Sequence, residues 1–199
     1  MYITKQDIQK TLASMVDFYG GLKQHFDNFD MNLESNLGRR NIFMSMVQEE
    51  FLARSLQEKY KSVISDGAPG MPDVYIGDIN KEIECKLTTV NKSGSISFQS
   101  DYETLLQKGS LDYLYFIASP DFDKFTVLLF EGLTVDDFRP LSPGSRGKVA
   151  MKKHEGMKKC TVLWGDVIHK NEIEIQKIDG LTQAARDKFD TITEQVTAK

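Results

Sequence analysis

Three side chains that can act together on one water molecule fall close together in this chain. Pro72-Asp73 is followed by ten residues and then by Glu84-Cys85-Lys86. Two carboxylates can hold Mg²⁺, a hard cation that prefers oxygen ligands and keeps several of its waters. Mn²⁺ is a plausible substitute on the same ligands. A bound cation of this kind is a Lewis acid and lowers the pKa of a bound water. A lysine beside it can orient or deprotonate that water, or stabilise developing negative charge. The backbone carbonyl of Cys85 can add another oxygen ligand. Asp73 and Glu84 as metal ligands with Lys86 beside them suit the hydrolysis of a phosphodiester, which needs phosphate charge neutralised and a water activated next to it.

These residues must be brought to one place by the elements that carry them. Side chains alternate between the two faces of a strand. Glu84 and Lys86 therefore point the same way and Cys85 points the other way. Asp73 to Ile76 and Ile83 to Leu87 read as strands, and Gly77-Asp78-Ile79-Asn80 reads as the hairpin turn between them. Pairing them lets Val74, Ile76, Ile83, Cys85 and Leu87 face a core while Asp73, Glu84 and Lys86 gather on a polar edge. Asp66-Gly67-Ala68-Pro69-Gly70 is the loop that leads in.

The rest of the chain supplies a frame. Thr4 to Tyr19 has a helical apolar face of Ile8, Leu12, Met15 and Tyr19; Thr4 with Asp7 caps it and Gly20-Gly21 ends it. A second helix is expected from Gly38 to about Lys61. Phe43, Met46, Val47 and Ala53 share one of its sides, with Glu50 in the middle of that side and Glu49 nearer the edge. Val63-Ile64, Leu111 to Ala118, Phe125 to Phe130, Cys160 to Trp164 and Ile173 to Ile178 read as strands. Val90 to Gly94 and Pro140 to Gly156 read as loops, Asp101 to Lys108 as a short helix, and Leu181 to Val196 as a closing helix. The order predicts an α/β or α+β fold with a mixed central sheet flanked by helices. One domain over 1–199 is expected, with its core at about 41–118 and a C-terminal part at 119–199.

Composition narrows the function classes. The chain has 199 residues, 40% hydrophobic and 27% charged, with a net charge of −4. These values suit a globular domain with a real core, and they do not describe a protein coated in positive charge. Cys85 and Cys160 lack metal-ligand spacing and read as reduced core residues. The N-terminus has no apolar signal region and no stretch is long enough to span a bilayer, so a cytoplasmic protein without a membrane partner is expected. His25, His154 and His169 are scattered. A G-x-x-x-x-G-K-[ST] loop does not occur, so no nucleotide cofactor is expected.

The segment Gly70-Met71-Pro72-Asp73-Val74-Tyr75-Ile76, followed by Glu82-Ile83-Glu84-Cys85-Lys86, resembles the PD-(D/E)xK nuclease superfamily. Type II restriction endonucleases are its best-known members. The resemblance covers roughly Asn41 to Ala118. It implies a restriction-endonuclease-like core of helix, strand meander, helix and strand, with Asp73, Glu84 and Lys86 as catalytic residues. An acidic residue on the helix before the meander often joins the metal site in that family. Glu50 matches that role first and Glu49 second.

A nuclease needs basic contacts to phosphate. Arg139, Arg146, Lys148, Lys152, Lys153, Lys158 and Lys159 form a local basic run, Arg39 and Arg40 precede the helix of Glu50, and Lys92 lies in the loop after the meander. Arg39, Arg40, Lys92, Arg146, Lys148, Lys152 and Lys153 are the expected DNA-binding residues. Three functions compete. The first is a Mg²⁺-dependent endonuclease cutting double-stranded DNA at a specific sequence, expected as a homodimer because palindromic sites match two-fold symmetry. The second is a structure-specific or repair nuclease of junction-resolvase type. The third is a non-catalytic DNA-binding or interaction module on the same fold.

Overall fold

The computed structural model describes residues 1–68, 71–89, 96–144 and 147–165. The expected strand Ile173 to Ile178, the closing helix Leu181 to Val196, and the candidate DNA contacts Lys92 and Arg146 lie outside the described residues. The chain forms a mixed α/β fold with a mostly antiparallel central sheet flanked by helices.

Helix α1 runs over Lys5–Asp27. Thr4 caps it as expected. The Thr4 hydroxyl accepts from the Asp7 amide at 3.3 Å, and the Asp7 carboxylate accepts from the Thr4 amide at 2.7 Å. The helix does not stop at Gly20-Gly21. A glycine in a helix costs only about 1 kcal/mol against alanine, and anchors downstream hold the extra turns. Lys23 pairs with Glu34 at 2.7 Å, and the Tyr19 hydroxyl donates to the same carboxylate at 3.2 Å. The chain turns away at Asp30, which takes a left-handed φ of 54°.

Helix α2 spans Leu37–Gln57, its first turn capped by the Asn36 side chain. Its buried stripe is Arg40, Met44, Gln48, Leu52 and Leu56, spaced four residues apart. Of the expected inner side, Ala53 is buried and Val47 packs against the core, but Phe43 and Met46 are exposed, at 39% and 61%. The helix is therefore turned partway relative to the sequence expectation, and three polar residues, Arg40, Gln48 and Ser55, lie on its buried side.

Seven further elements build the described sheet and its ends: β1 (Val63–Ile64), β2 (Val74–Ile76), β3 (Lys81–Thr89), β4 (Gln99–Asp101), α3 (Tyr102–Lys108), β5 (Leu111–Ala118) and β6 (Phe125–Leu133). After them come β7 (Lys148–Ala150), α4 (Lys153–Gly156) and β8 (Cys160–Trp164). The main sheet has the order β1-β2-β3-β5-β6-β8. Strands β3 and β5 are parallel, joined by the crossover that contains α3, and the other neighbours are antiparallel. The β2–β3 hairpin forms where expected, with Asn80 in the left-handed region at φ 51°.

The sheet is covered on both faces, as the unbroken burial of β5 requires. On one face α1 and α2 bring Ile8, Leu12, Met15, Met44, Leu52 and Leu56 onto Val74, Ile76, Ile83, Cys85, Leu114 and Phe116. On the other, Tyr113, Tyr115 and Phe130 pack with Phe98, Leu105 and Phe138. Both cysteines are free and buried.

The segment from Pro140 to Gly156 is not a plain loop. Its Lys148–Ala150 stretch pairs with β4 to form a two-stranded ribbon, with Ser100 opposite Val149, and Lys153–Gly156 makes a helical turn. Val149 and Met151 alternate inward, and their period-two signal is hidden among lysines and glycines.

Gln48 gives a stability test. It is fully buried, and neither polar atom of its amide has a hydrogen-bond partner among the described residues. Such a group costs about 1–3 kcal/mol. Gln48→Met keeps the length and removes the polar atoms. It is expected to raise stability by about 1–2 kcal/mol in denaturant titration; an unchanged or lowered midpoint would show that the amide is satisfied.

Candidate active site

The site is built where β3 outruns its neighbour. The β2–β3 register ends with Val74 opposite Ile83, so beyond that pair the β2 side of β3 is open to side chains. Asp73 sits just before β2 and fills this position. Its Oδ2 accepts the backbone N–H of Cys85 at 2.7 Å, closing the ladder with a side chain where a strand carbonyl would otherwise go. In a strand, the N–H and C=O of one residue leave on the same side. The Cys85 carbonyl is thus on the edge that Asp73 occupies.

Glu84 and Lys86 leave the opposite face of β3 from Cys85, as their alternation requires. The Lys86 ammonium reaches both acids, at 3.0 Å from Glu84 Oε2 and 3.3 Å from Asp73 Oδ2. The structure therefore brings together all three residues singled out from the sequence. The side chains are 32% exposed for Lys86, 28% for Asp73 and 16% for Glu84. They are mostly shielded from water, so their mutual attraction is stronger than that of a surface pair. Burial pushes the Lys86 pKa down, but the charges of Asp73 and Glu84 outweigh it and hold the pKa above its ordinary value. Burial, with the charges of Asp73 and Glu49, raises the thiol of Cys85 well above its usual range, which keeps it an inert packing group.

A third carboxylate arrives from α2, and it is Glu49. Burial first, then the charge of Asp73, pushes its pKa up to about 7, with Glu84 adding to the rise and Lys86 opposing it. Glu50 points elsewhere. It is exposed and bonded to Arg54 one turn on at 2.7 Å. Of the two glutamates weighed from the sequence, Glu49 is thus the one within reach of the charges of Asp73, Lys86 and Glu84. The misleading signal is Phe43 and Met46, apolar residues that lie on the outside.

The donor set fits a magnesium-type cation. It offers carboxylate oxygens from Asp73, Glu84 and Glu49 and a backbone carbonyl from Cys85, all hard ligands. Asp73 and Glu84 against one ammonium leave an excess of one negative charge, and Glu49 adds to it as its raised carboxyl ionises. Among the described residues no three acidic, histidine or cysteine side chains close into a ready cage. Mg²⁺ does not need one, because it is commonly held by one or two carboxylates and its own waters.

The expected DNA contacts fall into different settings. Arg39 is exposed on the first turn of α2. Arg40 is 1% exposed, and its guanidinium is used up inside the protein. It donates to the carbonyl of Pro120, to Thr89 Oγ1 at 2.8 Å and to Asn41, and it lies 4.9 Å from the Phe122 ring. That burial removes Arg40 from the phosphate-contacting surface, and its work is to tie α2 to the ends of β3 and β5. Lys148 is exposed on the ribbon and only loosely paired with Asp101, at 3.7 Å. Lys152 is exposed and donates to the Asp136 carbonyl at 2.9 Å, and Lys153 is half-buried in the turn of α4. Lys158 and Lys159 are each tied to an acid at 2.7 Å.

No helix among the described residues is long and apolar enough to cross a membrane. Comparison of the sequence with family models and with curated proteins gave no match.

Proposed function

We propose that this chain is a Mg²⁺-dependent endodeoxyribonuclease of the PD-(D/E)xK type that hydrolyses phosphodiester bonds in double-stranded DNA at a specific sequence. The observation that carries the reading is one ammonium, that of Lys86, reaching two carboxylates from adjacent strands at an open strand edge. Asp73 has a structural task in accepting the Cys85 N–H, but that task does not call for Glu84 and Lys86 beside it.

Each residue has a distinct task in this reading. Asp73 is fixed by the Cys85 N–H and so presents its remaining lone pairs outward at a set angle. Glu84 and Glu49 add oxygens from a neighbouring strand and from α2. A bound Mg²⁺ would supply Lewis acidity, neutralising phosphate charge and acidifying a water. Lys86 retains its proton while both carboxylates are beside it, which makes it a donor toward a phosphate oxygen on which charge develops. It becomes able to accept a proton only when the charge of those carboxylates is engaged elsewhere.

The test is a long, defined duplex DNA incubated with the protein and Mg²⁺, beside an EDTA control. Discrete fragments that need the metal are the expected result. A metal-dependent smear would keep the nuclease and remove the sequence specificity. Intact duplex with both Mg²⁺ and Mn²⁺, together with cutting of branched DNA, would move the assignment to a structure-specific enzyme. Intact DNA of every form would overturn the proposal in favour of a binding module.

A further inference from the structure

We propose that the β4–β7 ribbon is the element that reads base sequence, and that Gln99 and Lys148 are its base-contacting side chains. This rests on the reading of the chain as a DNA endonuclease and names the part of it that selects the substrate.

The ribbon is fastened at the level of the site. The Tyr115 hydroxyl donates to the Gln99 carbonyl at 2.8 Å, and the Tyr113 hydroxyl is hydrogen-bonded to Ser100 Oγ. Those two tyrosines are the register partners of the site residues in the parallel pair: Tyr113 lies opposite Glu84 and Tyr115 opposite Lys86. All four side chains leave the same face of the sheet. The ribbon thus stands beside the catalytic trio on the face toward which Glu84 and Lys86 point, one tyrosine away from each.

Its two faces are chemically different. Ser100 and Val149 turn inward and are buried. Gln99 and Lys148, one on each strand, turn outward and are exposed. The two strands are also joined beyond their paired residues, by the Met151 amide on the Phe98 carbonyl at 2.8 Å and the Tyr102 amide on the Gly147 carbonyl at 2.9 Å. A preorganised surface loses less conformational freedom on binding.

A two-stranded antiparallel ribbon fits the major groove of B-form DNA, where base pairs present distinct donor and acceptor patterns. A glutamine amide matches adenine N6 and N7, and a lysine ammonium matches guanine O6 and N7. Lys148 is available for this. Its pair with Asp101 is long, and Asp101 is already held by the first turn of α3, accepting from the Thr104 amide at 3.1 Å. Lys158 and Lys159, by contrast, are committed to close ion pairs.

The test compares the full-length wild type with Gln99→Ala and Lys148→Ala on a pool of random-sequence duplexes with Mg²⁺, sequencing the cut ends. Thermal melts check that both variants, altered at exposed positions, stay folded. The expected result is that each variant loses roughly 5- to 150-fold of discrimination at its own base pair and keeps it at the others. An unchanged cut-site preference in both variants overturns the ribbon assignment and leaves the nuclease reading standing. Sequence-blind cutting by the wild type does the same. A wild type that cuts nothing overturns both.

Discussion

Replacing Lys86 with alanine is expected to lower Mg²⁺-dependent cleavage of duplex DNA by about 10³-fold or more while the protein stays folded. The ammonium is the sole cation among the described residues shown to reach both Asp73 and Glu84, and in the proposed reaction it is the group that serves the phosphate oxygen or the water held by those carboxylates. Its loss removes whatever charge stabilisation or proton handling the site offers. Lys86→Arg keeps the positive charge and is still expected to fail. A guanidinium is planar and larger, holds its proton at any working pH, and cannot take the place of a compact ammonium between two acids.

The same variant carries a stability signature that separates a site from an ordinary ion pair. Without Lys86, two half-buried carboxylates lose their counter-charge, and Glu49 adds a third. In EDTA, Lys86→Ala is expected to be less stable than wild type by about 1–3 kcal/mol. Added Mg²⁺ is expected to return much of that loss, because a ligand that binds only the folded state stabilises it by mass action. Wild-type cleavage rates in Lys86→Ala would sink the assignment. So would a stability deficit that Mg²⁺ leaves untouched.

Much of the frame was legible because local rules and the fold agree. The Thr4-Asp7 capping box, the buried alternation of Val74, Ile76, Ile83 and Cys85, and the continuous burial of β5 each have one dominant signal and one outcome. The face of α2 was not legible for a physical reason. Its inner stripe contains Arg40, whose burial depends on partners far away in sequence such as the carbonyl of Pro120 and the ring of Phe122, and Gln48, a polar residue buried without a hydrogen-bond partner among the described residues. Its outer face carries Ile42, Phe43 and Met46. Periodicity weighs apolar residues alone, so it placed Val47 and Ala53 inward correctly but put Phe43, Met46 and Glu50 on the same side. The ribbon failed for a related reason. Three-residue strands between a Gly-Pro-Ser stretch and a lysine-rich turn carry too few alternations to stand out, and only the tyrosine hydroxyls of β5 reveal where they dock.

The rotation of α2 makes the second large prediction, which sets two adjacent glutamates against each other. Glu49→Gln is expected to lower Mg²⁺-dependent cleavage by about 10²-fold, in line with the loss of a group that holds or orients a metal. Glu50→Gln is expected to cleave like wild type, since it gives up only an exposed pair with Arg54. The pH dependence of stability supplies an independent reading. The ordinary Glu49 carboxyl titrates near 4.5 and the folded one near 7. Between those values the folded state keeps a proton that the unfolded chain has released, so stability falls as pH rises through that window and stays lowered above it. In EDTA, Glu49→Gln is therefore expected to overtake wild type across this window and to end more stable at pH 8, by on the order of 1 kcal/mol once solvent screening is allowed for. Mg²⁺ is expected to stabilise wild type more than Glu49→Gln at that pH, because the carboxylate that destabilises the empty site is the one that helps to hold the cation. Equal cleavage by both variants, with no crossing of the stability curves, would take Glu49 out of the site and leave Asp73, Glu84 and Lys86 as its whole charged set.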